Sequence, residues 1–125
     1  MHRPAKEPND LEKFFVARAN AGDVEGLVAL YESNAILAHG DGIATGIDEI
    51  RLFFTRFVAS NPKLELGIQA PPLCSGDIAL TSSRLGNGEI TAEIARRQPD
   101  GNWLWVVDQF AVNNQRHGSN DTAGG

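Results

Sequence analysis

An α+β domain is predicted: a cone-shaped, curved antiparallel sheet wrapped around three N-terminal helices. Three observations predict it. Residues 9–61 carry apolar side chains at helical spacing, whereas most later segments alternate with period two between turn signals. The chain has 125 residues, enough to bury one core without disulfides. Its composition, 42% hydrophobic and 22% charged, is that of a globular protein and excludes disorder of the whole chain. Helices segregated from hairpins pack on one face of a sheet. A curved sheet of this kind commonly leaves a ligand pocket at the open end of the cone.

Residues 1–8, with Pro4 and Pro8, read as a flexible arm; 9–113 read as a single domain; and 114–125, polar and glycine-rich, read as a disordered tail. Asn9 has the position of an N-cap, with Glu12 as its capping-box partner. Leu11, Phe14, Phe15 and Ala19 follow helical spacing up to Ala21-Gly22, where glycine suits a left-handed C-cap. Asp23 caps a second helix with Val24, Leu27, Val28 and Tyr31 on one face. Ala35 to His39 alternates as a short strand, and Gly40-Asp41-Gly42 turns the chain. Thr45, with Asp48 three residues on, starts a third helix whose stripe is Ile47, Ile50, Phe54, Phe57 and Val58; Ser60-Asn61-Pro62 stops it.

Four strands follow. Leu64, Leu66 and Ile68 alternate with polar or small residues until Pro71-Pro72. Ile78 to Arg84 and Glu89 to Arg97 flank the turn Gly86-Asn87-Gly88, and Trp103 to Val112 follows the turn Pro99-Asp100-Gly101-Asn102.

Several function classes are excluded. Sixteen acidic and eleven basic residues leave a net charge of −5, with no basic stripe for nucleic acid and no cation-rich helix for a membrane surface. No apolar run approaches the ~20 residues that span a bilayer. Cys74 is the single cysteine, so neither an internal disulfide nor a cysteine-type zinc site is expected. His2, His39 and His117 lie too far apart to suggest a metal, and Gly40-Asp41-Gly42 is no complete phosphate loop. Neither metal nor other cofactor is expected. Residues 1–8 contain no apolar leader, which makes a cytoplasmic protein the simplest reading.

The last strand carries the most chemistry. With unbroken alternation, one face holds Leu104, Val106, Asp108, Phe110 and Val112, and the other Trp103, Trp105, Val107, Gln109 and Ala111. A carboxylate within an apolar row is costly to bury and so marks a candidate site. Both faces are apolar, so the outer one is expected to meet another chain.

The stretch Ala21-Gly22-Asp23-Val24-Glu25-Gly26-Leu27-Val28-Ala29-Leu30-Tyr31 resembles a signature of the nuclear transport factor 2-like superfamily, as do Asn34 to Leu37 and the helix start Gly46-Ile47-Asp48-Glu49-Ile50. Arg96-Arg97-Gln98-Pro99-Asp100-Gly101-Asn102-Trp103 is similar to the final hairpin of its SnoaL-like and ketosteroid-isomerase-like branch. The resemblance covers residues 9–113 and implies the cystatin-like cone, with a pocket between the first helix, the short strand and the last strands. Each motif is weak alone; their order and spacing carry the likeness. In ketosteroid isomerases a carboxylate base lies on the short strand, where this chain has His39. A tyrosine on the first helix matches Phe15, which lacks the hydroxyl, and an aspartic acid on a late strand matches Glu93. The resemblance also points Asp108 into the cavity and makes the face of Trp103, Trp105 and Val107 a homodimer interface.

His39, Glu93 and Asp108 are thus the candidate catalytic groups. A histidine titrates near neutrality, and a carboxyl in an apolar pocket can stay neutral and donate a hydrogen bond. Phe15, Phe54, Phe57, Val106 and Phe110 are expected to form apolar walls, with Ser82 and Arg84 near the mouth. Structural alternatives stand beside these roles: Glu93 paired with Arg84, and Asp108 bonded to backbone or to His39. Two readings of function follow. One is a cofactor-free acid–base enzyme (isomerase, cyclase or hydratase type) acting on a hydrophobic carbonyl-containing compound. The other is a ligand-binding or dimerisation module without chemistry.

Overall fold

A computed structural model describes residues 2–40 and 42–113; the expected tail, 114–125, lies outside the described residues. Three helices, α1 (Asp10–Asn20), α2 (Val24–Val28) and α3 (Gly46–Ala59), precede most of the strands. The strands are β1 (Tyr31–His39), β2 (Gly42–Thr45), β3 (Ile68–Gln69), β4 (Leu73–Ser75), β5 (Ile78–Thr81), β6 (Ser83–Arg84), β7 (Ala92–Arg97) and β8 (Trp103–Gln109). Six form one sheet in the order β2-β1-β8-β7-β5-β4; β3 and β6 form a separate pair. The fold is the predicted α+β cone, with one correction. The large sheet is mixed, because β8 returns alongside β1 in parallel while its other pairings are antiparallel.

Local signals account for most helix ends. Gly22 takes φ 71° just past α1, the left-handed conformation that glycine adopts without a Cβ penalty. The Asp23 carboxylate accepts the Gly26 N–H at 2.9 Å and caps α2. Two capping expectations differ. Asn9 makes no cap bond: its amide donates to the Ala70 carbonyl at 3.1 Å, and Glu12 does not reach back to it. At α3 the reciprocal bond comes from Glu49, whose carboxylate accepts the Thr45 N–H at 2.8 Å, rather than from Asp48.

Tertiary pairing changes other boundaries. Tyr31 leaves the expected second helix because the Leu30 carbonyl accepts the Trp105 N–H at 2.8 Å, which starts β1 beside β8. Gly42–Thr45, read as turn and cap, forms the second arm of a hairpin with β1. Residues 64–67 are no strand: the Asn20 side chain brackets the Leu64 backbone, donating to its carbonyl at 2.8 Å and accepting its N–H at 2.7 Å. The expected flexible arm is docked where it is described. Ala5 is 3% exposed and accepts the Trp103 N–H at 2.9 Å.

Leu11, Phe15 and Ala19 from α1 and Ile50 and Phe54 from α3 fill the cone. Phe15 is the hub, with the rings of Phe54, Trp105 and Phe110 each 6.0 Å away and Phe57 at 6.3 Å. Such edge and offset contacts suit the aromatic quadrupole.

One irregularity overturns the expected faces of the last strand. Ile94 pairs with Val107, but Ala95 pairs with Trp105, so Val106 is an extra residue in β8. A bulge of this kind resets the alternation. Trp103, Trp105 and Asp108 therefore all point inward, exposed by only 6%, 1% and 3%. The expected interface of Trp103, Trp105 and Val107 does not exist as one face: both tryptophans belong to the core, and Val107 alone is outside. No helix among the described residues is long and apolar enough to cross a membrane.

Phe54 is fully buried with aromatic neighbours on several sides. Replacing Phe54 with Ala is expected to destabilise the fold by about 3–5 kcal/mol, read from the urea midpoint at unchanged m-value.

Candidate functional site

α1 turns Glu12, Phe15 and Val16 toward one space, since positions three and four apart share a helix face. Opposite them, the inner faces of β7 and β8 supply Glu93, Trp105 and Asp108, and Phe57 and Phe110 add apolar wall. The rim is made of residues 63–65, held by Asn20, and the turn at 85–87, closed by the Gly88 N–H on the Leu85 carbonyl at 2.9 Å. Together they enclose a cavity of about 460 Å³, ample for a drug-sized ligand.

Glu93 and Asp108 are direct partners in the β7–β8 register, both on the inner face. The Tyr31 hydroxyl donates to Asp108 Oδ2 at 2.6 Å, and the Thr81 hydroxyl donates to Glu93 Oε1 at 2.7 Å. Burial raises the affinity of both carboxyls for a proton. Asp108 is pushed up further by the negative charge of Glu93, whereas Thr91 and Thr81 pull Glu93 back down. Two carboxyls in such a position titrate as a pair, one holding a proton while the other ionises. Tyr31 likewise favours the ionised form of Asp108, but burial and the charge of Glu93 outweigh it. Tyr31, fully enclosed against Asp108, is held well above the ordinary tyrosine value by burial and by that neighbour.

Glu12 was missed as a site residue because the sequence offered it a capping role. In the structure it faces the cavity, and burial, with the charge of Glu93 second, raises its carboxyl to about 8. Trp105 was missed because unbroken alternation put it outside. Its Nε1 is buried without a hydrogen-bond partner among the described residues.

The other predicted residues scatter. His39 is not in the cavity. It caps the inner row of β1, stacked on Phe53 with centroids 4.3 Å apart, and Phe53 in turn packs on the wall residue Phe110 at 5.7 Å. Phe15, Phe57 and Phe110 line the cavity, whereas Phe54 lies in the core behind them. Ser82 Oγ is turned onto the Thr91 carbonyl at 2.6 Å, Arg84 is exposed on β6, and Val106 is the bulge residue; none of the three lines the cavity. Neither structural alternative holds, since Glu93 is bonded to Thr81 rather than Arg84, and Asp108 to Tyr31 rather than His39.

A sequence profile of the SnoaL-like domain matches residues 11–117. Among solved structures, the chain is similar to a protein from Thiobacillus denitrificans assigned as a calcium/calmodulin-dependent protein kinase type II association domain (TM-score 0.69, 16% identity, 86% of this chain and 95% of that one). It is also similar to a ketosteroid isomerase-like protein from Erwinia carotovora atroseptica (TM-score 0.64, 15% identity, 85% and 94%). A third likeness is to an NTF2-like protein with a cystatin-like fold from Novosphingobium aromaticivorans (TM-score 0.60, 18% identity, 85% and 80%). At these identities the likeness is one of fold. No curated protein matches the chain.

The position of Glu12 has a consequence for stability. Its carboxyl binds a proton more tightly in the folded chain, at about 8, than at the ordinary 4.5. Stability is therefore lost as pH rises from about 4.5 to about 8, and the penalty is complete above that window. At pH 8.5, Glu12→Gln is expected to exceed the wild type by about 3–5 kcal/mol in urea unfolding, with the difference vanishing near pH 4.

Proposed function

We infer that this chain, which belongs to the SnoaL-like domain family, is a small-molecule pocket protein that moves a proton on a hydrophobic, carbonyl-containing compound without a cofactor. One observation carries this reading: Glu93 and Asp108 stand opposite each other on the wall of an apolar cavity, each held by a hydroxyl. A pair sharing one proton offers a base and an acid side by side.

In this reading the Glu93 carboxylate removes a proton from the carbon next to the carbonyl. The electron pair of that C–H bond moves toward the carbonyl oxygen, which takes a hydrogen bond or a proton from Asp108. Return of the proton from Glu93 to another carbon, with any proton on the oxygen going back to Asp108, restores the carbonyl and completes an isomerisation. Thr81 donates to Glu93 Oε1 and so fixes the carboxylate on the cavity wall. Phe15, Phe57 and Phe110 keep water from competing for the proton. His39 has no part in this scheme.

The reading is tested without knowing the natural substrate. Bicyclic ketones incubated with the protein in D2O are expected to exchange their α-hydrogens, followed by NMR. Glu93→Gln and Asp108→Asn are expected to slow exchange by about 10²–10⁴-fold while the fold persists. Exchange equally fast in both variants overturns the assignment. Binding without exchange by the wild type instead establishes the binding-module reading, which the replacement of a hydroxyl donor by Phe15 favours.

We also propose a homodimer through the outer sheet face, with different residues from those expected. Ile36, Val107, Ile94, Leu80 and Leu73 are successive register neighbours across five strands. Ile36, Val107, Leu80 and Leu73 are exposed by 36%, 38%, 46% and 71%. A contiguous apolar row of this kind suits an isologous contact. Sedimentation should give a dimer for the wild type and a monomer for Val107→Asp combined with Leu80→Asp; a wild-type monomer contradicts the interface.

A further inference from the structure

The cavity carries more acid than proton transfer requires. Glu12, Glu65, Glu89, Glu93 and Asp108 line it, and Lys63, exposed at the rim, is the one basic lining residue among the described residues. The arginines that make ion pairs do so outside, Arg51 with Glu25, Arg96 with Glu32 and Arg97 with Asp77. Buried carboxylates are ordinarily matched by a cation. Here Glu93 and Asp108 meet only hydroxyls, and no hydrogen bond or ion pair of the Glu12 carboxyl is found among the described residues. From the elements around it, Glu12 is faced by Glu93 on β7, Asp108 on β8 and the Tyr31 hydroxyl on β1, all acidic, with Glu65 and Lys63 at the rim.

One further feature bears on what fits there. The rings of Phe15, Phe57, Phe110 and Trp105 offer π faces and edges around the same space, and a π face attracts a desolvated cation.

We propose that the cavity takes a hydrophobic amine, a ligand with a flat apolar body and a protonated nitrogen set against Glu12. The proposal rests on the reading of the cavity as a small-molecule site and adds the charge of its ligand. The ammonium supplies a positive charge that no described residue brings to Glu12, Glu93 and Asp108. On binding, Glu12 gives up its proton to solvent and an ion pair replaces a neutral acid. A ligand carboxylate or phosphate in the same place meets Glu12, Glu93 and Asp108 and is rejected.

Three matched probes test this by calorimetry at pH 7: 6-methoxy-2-naphthylmethylamine, the corresponding alcohol and the corresponding carboxylic acid. The amine is expected to bind about tenfold or more tighter than the alcohol, and the acid more weakly than the alcohol. Amine binding in buffers of different ionisation enthalpy should release a proton, and alcohol binding should not. Glu12→Gln should bring the amine down to the level of the alcohol, and its urea unfolding midpoint shows that the variant is folded. Alcohol binding as tight as amine binding, or an amine preference that survives Glu12→Gln, overturns the inference alone. Failure of all three probes to bind overturns both it and the small-molecule reading of the cavity.

Discussion

The single extra residue in the last strand, Val106, is the constraint on which the site depends. Without a bulge, Trp105 and Asp108 lie three residues apart on opposite faces of β8. With it, they share the inner face, one as aromatic wall and the other as buried acid. The bulge is tolerated because β7 and β1 pair with β8 on both sides of it, from Trp103 to Gln109. A central strand held by two neighbours keeps its irregularity in register, where an edge strand would slip.

The cavity that results is expensive. Three carboxyls around one apolar cavity cost more than the same volume filled with leucine, and natural cores avoid this unless something uses the groups. The surroundings lessen the cost without removing it. Tyr31 and Thr81 each donate one hydroxyl, but among the described residues no arginine or lysine pairs with Glu93 or Asp108. Destabilised acids on a rigid aromatic frame are the arrangement expected where stability is given up for a function.

The frame itself is redundant. Phe15 touches four other rings, and α1 and α3 each add buried residues one turn apart. The strain of the acids is therefore borne by a core that does not depend on them. α1 serves both purposes with adjacent positions: Phe15 belongs to the core, and Glu12 to the cavity.

Much of the fold was legible in the sequence because it rests on local rules. Helical periodicity, the aspartate cap at Asp23, Gly22 past the first helix and Gly88 in the hairpin turn all act over a few residues. Glu93 and Asp108 were legible as candidates because a carboxylate in an apolar strand has few innocent explanations. His39, Glu12, Trp105 and the parallel pairing of β1 with β8 were not. Each depends on contacts between segments far apart in the chain: a hairpin that carries His39 onto Phe53, a carbonyl of Ala70 that claims Asn9 and leaves Glu12 to the cavity, and a bulge that reverses the parity of β8. The sequence by itself determined the helices, the turns and the α+β class, since those follow from the preferences of neighbouring residues. Only the tertiary structure decided which side chains share the cavity, because strand facing is a property of pairing and one unpaired residue inverts it.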